Sequence, residues 1–369
     1  MSLLDRYIAR QYLINAVTLL VILSSFVVAI DAALNLSRYW NSDFFSTTGE
    51  AESSGVRRAA IVALLVADLW WPRLLNLYNL LLGLVLVGAM GFTCSQLVRH
   101  RELVAMLTSG RSLHRCAWPF LAVALVFTGL QAINQEFVIP RIAPLLTRDQ
   151  GDAGKRTLGS SRVPPTADGQ GRLFYARSFD ADAGTVEDLY VWEREGGSLT
   201  RGRLHAERAT WRDGGWDLHA AARAGDGAAP TRIETDLDPT LLKIRRFANF
   251  GSNISWSQAR GMASRIGGTD TEQARRTRDL LARVGLGRIS GMLSNLLALL
   301  IALSFFLVRE PRGMVSRALR CAPVGMAALV GGTLGTTAPI AGVPAWLSVF
   351  IPVMVLLPIA AGLWSRVRS

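Results

Sequence analysis

The sequence has little charge and almost no lysine. Only 18% of its 369 residues are charged, against about 25% in soluble globular proteins, and Lys155 and Lys243 are the only lysines among 40 basic residues. The shortage is uneven, because long stretches have no charge at all. The formal net charge of +12 is compatible with nucleic-acid binding, but many arginines directly flank the uncharged stretches, where basic residues orient membrane proteins. We therefore predict a membrane protein with no nucleic-acid partner.

Cysteine and histidine are also scarce. The three cysteines, Cys94, Cys116 and Cys321, lie in or beside apolar segments and have neither disulfide nor metal-ligand spacing. The four histidines are scattered, and two of them, His205 and His219, lie on predicted strands without a third ligand. We expect no metal and no cofactor.

The known catalytic motifs are missing as well. A phosphate-binding loop needs a Gly-rich turn that ends in Lys-Ser or Lys-Thr, whereas Lys155 precedes Arg156 and Lys243 precedes Ile244. The sequence has no G-x-S-x-G, no H-E-x-x-H and no paired intramembrane aspartate. We therefore expect that the chain is not an enzyme and does not hydrolyse nucleotide through a phosphate-binding loop.

Long apolar runs are what the sequence has in quantity. A transmembrane helix needs about 20 mostly apolar residues. Four uncharged runs have this length: Gln11–Ile30, Leu74–Val98, Cys116–Gln135 and Ile289–Val308. A fifth run, 321–365, is long enough for two helices and has a Gly- and Pro-rich break at 335–344, so we predict six spans. The shorter run 59–67 is too brief to cross and fits an interfacial or outward extension before the second span.

The arginines beside the short loops predict an orientation. One side of the membrane collects the arginines at 6–10, 99–115, 309–320 and 366–368, and the other side has fewer. Because basic residues in short loops stay in the cytoplasm, we expect both termini to be cytoplasmic and residues 136–288 to lie outside.

Residues from about 150 to 248 have a different pattern. Short stretches of strand type alternate with turn signals, and the predicted strands are 172–178, 188–193, 199–211, 216–222 and 231–237. Trp216, Leu218 and Ala220 alternate with polar neighbours, as in a half-buried strand. The regular spacing favours a β-sandwich, a jelly roll or an open barrel. After this region, Ser255-x-x-Gln258 is typical of a capping box that opens a helix, and a second polar helix, 271–283, leads into the fourth span.

Polar residues inside spans are costly in lipid and are therefore candidates for function. Those that share one depth, near the outer ends of the first three spans, are Asp31, Asn76, Asn79 and Asn134–Glu136. They are either solvated interfacial residues or the polar rim of a cavity between helices. In the second case Arg38 and Arg73 would supply cations at the same depth for phosphate or carboxylate groups.

The loop between the second and third spans is the most specific feature on the cytoplasmic side. Leu103, Met106 and Leu107 fall on one helical face, and Gly110 is a natural stop. The pattern predicts a short amphipathic helix over about 99–110. From periodicity, this helix either lies on the membrane surface or docks into the groove of a partner.

In this order and spacing, the segments resemble the lipopolysaccharide export permease family (LptF/LptG, also called YjgP/YjgQ). The resemblance covers essentially the whole chain, and the segments that carry it are Leu4–Ile8, Arg101–Met106 with Ser109-Gly110, Glu136–Pro140, Leu237–Ala259 and Ala302–Phe305. The opening residues lean toward the LptG-like type without separating the two paralogues. Two departures are Asp31, near a position where some members carry a lysine, and Ser290–Met292, where the family usually has a proline.

The resemblance implies a fold class, which is an α-helical membrane protein with six transmembrane helices (3+3) and an inserted periplasmic all-β jelly-roll-like domain. The expected domains are 1–139 with spans one to three and the coupling helix at about 99–110, 140–270 with the β-domain and a connecting helix, and 271–369 with spans four to six. The implied location is the bacterial inner membrane.

The resemblance also implies partners and sites. Family members pair as a permease dimer, bind a cytoplasmic ATPase dimer, extract lipopolysaccharide from the inner membrane and pass it to a periplasmic bridge protein. The expected ATPase-coupling residues are Glu102, Leu103, Met106 and Leu107, with the Glu102 carboxylate meeting a basic group of the ATPase. The expected contacts of the lipid head group are Arg38, Arg73, Arg141 and Arg148.

Several alternatives stay open at this point. A subunit that extracts lipoproteins has a similar layout, although such proteins usually have their outer domain after the first span. A membrane-bound lipid-modifying enzyme would need a nucleophile and a base, and the sequence has no such set. A homodimer and a heterodimer are equally compatible with the sequence, and so is a glycolipid related to lipopolysaccharide.

Overall fold

The computed structural model describes residues 3–40, 55–146, 161–168, 172–180, 183–195, 198–212, 214–224, 229–235, 237–239, 242, 255–265, 272–307, 321–323, 325–327, 329–330 and 343–365. The chain divides into two compact units. The first, formed by Met1–Asn41, Ser53–Ile139 and Ala282–Ser369, has helices as its described elements, and the second contains Pro140–Leu281 and is built on a β-sheet.

Among the elements whose bounds the structure describes, seven helical segments precede the sheet and three helices follow it. The segments before it are α1 (Leu3–Leu34), α2 (Leu36–Trp40), α3 (Gly55–Arg99), α4 (Glu102–Thr108), α5 (Leu113–Ile133), a π-helical turn (Asn134–Val138) and α6 (Ile139–Leu146). The helices after it are α7 (Trp256–Arg265), α8 (Glu272–Phe306) and α9 (Ala345–Ser365).

Five of the described helical stretches are long and apolar enough to cross a membrane. They are Leu3–Leu34, Gly55–Arg99, Leu113–Ala143, Leu281–Phe306 and Trp346–Ser365. They contain the first three predicted spans, all but the last two residues of the fourth, and the last one. The predicted fifth span and the break after it lie mostly outside the described residues, with helix at 321–323, 325–327 and 329–330, so the count of six stays a prediction.

Two helices are longer than the predicted spans. Helix α3 has 45 residues, or about 68 Å at 1.5 Å per residue, because the short apolar run 59–67 is continuous with the second span. The polar helix predicted at 271–283 likewise merges with the fourth span into the 35-residue α8. A continuous helix pairs its own backbone groups, as a chain that enters lipid requires.

The core of the helical unit lies between α1, α3, α4, α5 and α8. The hydroxyl of Tyr12 in α1 donates to the carbonyl oxygen of Leu86 in α3 at 3.0 Å, and its ring packs on Phe120 of α5 with centroids 5.1 Å apart. Gly83 of α3 faces the side chain of Asn295 in α8 so closely that a Cβ at Gly83 would overlap it. The glycine therefore leaves room for the Asn295 side chain beside α3.

Amide and hydroxyl side chains join α1 to α3 beside this core. The Asn15 amide donates to Thr93 Oγ1 at 2.9 Å and to Gln96 Oε1 at 3.1 Å. The Gln11 amide donates to the same Gln96 oxygen at 3.0 Å. Between helices in a membrane such bonds replace the hydrogen bonds that water would make, so they fix the pairing of the two helices.

The β-unit contains a six-stranded antiparallel sheet. Its strands are β1 (Ser161–Ala167), β2 (Leu173–Asp180), β3 (Thr185–Glu195), β4 (Ser198–Arg212), β5 (Gly215–Ala224) and β6 (Arg232–Glu234). Each pairs with its neighbours in sequence, so the sheet is a meander, and the jelly-roll arrangement stays a prediction. Strands β2 to β6 correspond to the five predicted strands. Strand β1 was not predicted because it contains Pro164 and Pro165, which an edge strand tolerates since it pairs on one side only.

The sheet bends along one line that crosses four adjacent strands. Elsewhere the inward side chains are two residues apart, but at this line they are three apart in each strand, at Ala176 and Phe179, Val186 and Leu189, Ala206 and Ala209, and Leu218 and Ala221. Asp188 and Ala220, which lie on the line, both have a φ of 51°. Such local kinks increase bending and twist of a sheet. Ala220 is therefore exposed, whereas strict alternation predicts it on the inner face.

Trp216 is the largest fully buried side chain inside the sheet, with 1% of its surface exposed. Its indole nitrogen donates to the carbonyl oxygen of Leu237 at 2.9 Å, and its ring meets Trp211 edge-on with centroids 5.2 Å apart.

After the sheet, Ser255 and Gln258 exchange side-chain and backbone hydrogen bonds of 3.1 Å at the start of α7. The predicted capping box is thus confirmed.

Candidate functional site: the α4 helix and the outer polar residues

The predicted coupling helix is a separate element of seven residues, α4. Arg101 precedes it in a left-handed conformation (φ 60°, ψ 12°), which turns the chain after α3. Gly110 follows it with a φ of 82°, a conformation that glycine adopts without steric cost. The backbone N–H of Arg111 closes the end by donating to the carbonyl oxygen of Met106 at 3.4 Å. These two turns give α4 a direction independent of α3 and α5.

The apolar face of α4 packs into the chain's own core. Leu103 and Met106 are 3% and 4% exposed and belong to the cluster that includes Ile8 and Phe120, and Leu107 is half-buried. The periodicity left a membrane surface or a partner groove for this face. In the structure it packs against the chain's own core, and the ATPase-coupling role of Leu103, Met106 and Leu107 stays a prediction. The outward residues, at the spacing i, i+3, i+4 and i+7, are Arg101, Val104, Ala105 and Thr108.

The carboxylate of Glu102 lies beside the first helix. The hydroxyl of Tyr7 donates to Glu102 Oε1 at 3.2 Å. The other oxygen, Oε2, is buried and has no hydrogen-bond partner among the described residues. Nearby, the Arg111 guanidinium donates to Asp5 Oδ1 at 2.8 Å, with 17% and 10% of the two side chains exposed. The loop around α4 is thus attached to α1 at both of its ends.

At the other end of α1, the carboxylate of Asp31 accepts three hydrogen bonds. Tyr39 and Trp70 donate to Oδ2 at 2.9 Å each, and Asn35 donates to Oδ1 at 2.8 Å. Burial, with the hydrogen bond to Asp31, raises the pKa of Tyr39 to about 12, so its hydroxyl stays a donor at neutral pH. Asp31 therefore holds α1, α2 and α3 together.

The four predicted head-group arginines occupy different settings. Arg38 is exposed on α2. Arg73 is half-buried, with its guanidinium carbon 5.9 Å from the centre of the Trp70 ring. Arg141 is exposed on α6, and Arg148 lies outside the described residues. The structure thus brings Arg73 to the Asp31 cluster and leaves the head-group assignment a prediction.

The outer polar residues of the second and third spans join those spans. The Asn134 amide donates to the carbonyl oxygen of Leu75 at 2.8 Å and to Asn79 Oδ1 at 3.2 Å. The π-helical turn, which begins at Asn134, is also held by Arg288 of α8, which donates to the Gln135 carbonyl at 3.2 Å and lies 3.6 Å from the Glu136 carboxylate. Sequence reasoning missed this role of Arg288 because it counted the residue as a flanking charge. These polar residues therefore join neighbouring helices to one another, which neither of the two expected roles, interfacial solvation or the rim of a cavity, describes fully.

The β-sheet contains a cleft that sequence reasoning also missed. Its volume is about 380 Å³, and it is lined by three arginines and a glutamate (Arg172, Arg223, Arg232 and Glu234) together with Val191, Leu204, Ile233 and Pro230. Arg172 is held in place by Asp168, with a side-chain distance of 2.7 Å. A cleft whose accessible lining is mainly polar and contains three guanidinium groups suits the negatively charged part of an amphiphile. No local motif marks it, because its arginines come from three different strands or strand ends.

These features define a multi-pass membrane protein in which, along the sequence, a β-sheet unit lies between two sets of apolar helices. The sequence matches the lipopolysaccharide export system permease LptF/LptG family over residues 6–366. The chain belongs to this family, which confirms the resemblance read from its motifs. Members of the family are permease components of lipopolysaccharide transport and not enzymes. No curated protein matches the chain as an individual relative.

Proposed function

We propose that this chain is the permease subunit of an ABC-type transporter that extracts lipopolysaccharide, or a related glycolipid, from the inner membrane and passes it to a periplasmic bridge protein. The observation that carries the proposal is α4. It is a short helix, fixed on the helical unit by buried Leu103 and Met106, that presents a stripe of exposed side chains beside Glu102. Membership of the family supplies the transport class.

The partner on α4 is a cytoplasmic ATPase dimer. The stripe contains Val104, Ala105 and Thr108, which are small enough to let a helix enter a groove closely. The Glu102 carboxylate at one end of the stripe would pair with a basic group of the ATPase, and an arginine gives the strongest such pair. Leu103, Met106 and Leu107 then contribute to coupling by holding α4 on the core.

The expected topology fits this arrangement. Both termini and α4 would lie in the cytoplasm, and the β-unit would lie in the periplasm, with domains at 1–139, 140–270 and 271–369. The arginine distribution beside the short loops supports this orientation. A second permease subunit, either a paralogue or a copy of this chain, would complete the membrane part.

The lipid would meet basic groups on the outer side. Arg38, Arg73, Arg141 and Arg148 are our candidates for the phosphates of the head group, since guanidinium groups bind phosphate well. The basic cleft of the β-sheet would receive the amphiphile next. Some relatives carry a lysine at the place of Asp31. We therefore expect the charge of the lipid head group to be the property in which this chain's lipid differs most from theirs.

The test is a charge reversal at the proposed docking site. We expect Glu102→Arg to abolish co-purification with the ATPase and to lower the amount of lipopolysaccharide that reaches the outer membrane, because the new arginine would face a basic group. Glu207→Arg, the same change at an exposed position of β4, should alter neither. Normal ATPase binding and normal lipid export with Glu102→Arg would contradict the proposal.

A further inference from the structure

Two contacts join the start of α1 to the loop around α4. The ion pair between Asp5 and Arg111, at 2.8 Å, attaches the chain three residues after the end of α4. The hydrogen bond from Tyr7 to Glu102 attaches the first residue of α4, at 3.2 Å. The two α1 residues in these contacts, Asp5 and Tyr7, lie within the first two turns of the helix. The helix that is proposed to meet the ATPase is thus held at both ends by one short segment.

The packing between the two contacts reinforces them. Ile8 and Tyr12 of α1 have no exposed surface and belong to the same core cluster as Leu103 and Met106 of α4. The rest of α1 is different, because only 6% of its most apolar stretch of 18 residues is buried within the chain. The first helix is therefore buried at its α4 end, while polar bonds from Asn15 and Asp31 join the rest of it to α3 and much of its apolar surface faces its surroundings.

The ion pair is the stiffer of the two contacts. Both of its side chains are largely removed from water, and a charge left there without its partner is strongly disfavoured. Asp5 is also in the first turn of its helix, where a negative charge is favoured by the helix dipole. A movement of α4 away from α1 would therefore have to break a bond that water replaces poorly.

We propose that Asp5 and Tyr7 make α1 the direct receiver of the movement of α4, so that a displacement imposed by the ATPase passes into the first transmembrane helix through these two contacts. This inference rests on the proposed function. It adds the route by which a movement driven by the ATPase reaches the transmembrane helices. Asp5 and Arg111 transmit the displacement. Tyr7 is a positioning residue, which holds the carboxylate that the ATPase would bind.

The test uses the full transporter in proteoliposomes, with this chain, its ATPase and its second permease subunit. ATP hydrolysis and release of lipopolysaccharide to an acceptor are measured together. In Asp5→Asn and Arg111→Gln we expect the complex to assemble and to hydrolyse ATP as before. The lipid released per ATP should fall by at least about fivefold, the lower end of typical coupling between sites.

Three further variants make the result specific to the pair. The double variant Asp5→Asn/Arg111→Gln should lose no more than either single variant, because both remove the same bond. Arg111→Lys keeps the charge and should recover a large part of the loss. Arg115→Gln removes an exposed arginine in the first turn of α5 and should leave the ratio of lipid to ATP unchanged.

The outcomes separate this inference from the proposed function. If the unmodified chain binds no ATPase, the proposed function fails, and amide hydrogen exchange on the chain alone in nanodiscs then decides whether the link exists, since Arg111→Gln must speed exchange in α4. If the complex works but lipid release and hydrolysis fall in the same proportion, or the ratio does not change, α1 is not the receiver and the inference is overturned.

Discussion

The two faces of α4 should respond in opposite ways to the same kind of substitution. Leu103 and Val104 are neighbours in sequence, but 3% of Leu103 and 41% of Val104 are exposed. Truncation to alanine removes apolar atoms from the core in one case and from the exposed stripe in the other. We expect Leu103→Ala to loosen α4 on the helical unit and Val104→Ala to leave it in place.

The expected size follows from burial. Replacing a buried leucine by alanine costs about 2–5 kcal/mol, and α4, with seven residues, is too short to be stable without its packing. At about 1.4 kcal/mol for each factor of ten, the population of the opened helix should rise by roughly 30-fold or more. An exposed substitution usually stays within about 0.5 kcal/mol, and alanine is also the better helix former.

Amide hydrogen exchange of the full chain in nanodiscs measures this directly. In Leu103→Ala the amides of α4 should exchange at least about 30-fold faster, following the same free-energy conversion, while those of α5 change little. Val104→Ala should exchange like the unmodified chain and should weaken ATPase binding instead. If Leu103→Ala weakened ATPase binding without changing exchange in α4, then Leu103 would face the partner, and our account of the two faces would be refuted.

Three other predictions test separate parts of the structure. Asp31→Asn should lower the thermal midpoint of the helical unit, because hydrogen bonds to a charged group contribute about 1.5–3 kcal/mol each and three donors share this carboxylate; an unchanged midpoint would show that the cluster is not needed. Gly83→Ala should destabilise the contact between α3 and α8, since its Cβ has no room, whereas Gly291→Ala, where nothing lies within 4 Å, should be neutral or stabilising by up to about 1 kcal/mol; equal midpoints in a detergent thermal melt would contradict this. Trp216→Phe should destabilise the β-unit by about 1–3 kcal/mol, because it leaves the buried carbonyl of Leu237 without its donor, and faster proteolysis of the sheet relative to the helices is the measurement.

Much of the architecture could be predicted from the sequence, because lipid imposes long uncharged runs and a half-buried sheet imposes alternation. The first four spans and the last one correspond to described helices, and five strands lie near their predicted positions. The start of α8 agrees with the polar helix predicted at 271–283. Its continuity with the fourth span and the start of α3 at Gly55 could not be predicted, since hydropathy marks where a helix meets lipid and not where it begins. Strand β1 was missed because its prolines oppose a strand everywhere except at an edge.

The contacts of the candidate site were beyond the sequence for a different reason. Tyr7 and Glu102 are 95 residues apart, and Asp5 and Arg111 are 106 apart, so no local pattern relates them. Periodicity identified the apolar face of α4 correctly, but it does not say whether such a face belongs to the chain's own core or to a partner. That choice depends on the position of α1, which only the folded chain provides.

The bend across the sheet has a consequence for comparing this protein with its relatives. Because four neighbouring strands shift the inward side chain at the same line, residues before and after the line follow opposite odd and even counts. A one-residue insertion or deletion in one strand alone would turn that strand's far half inside out while its neighbours stayed as they are. Any assignment of the interior of the sheet from a sequence must therefore restart its odd and even count at this line, at Asp188 in β3 and at Ala220 in β5.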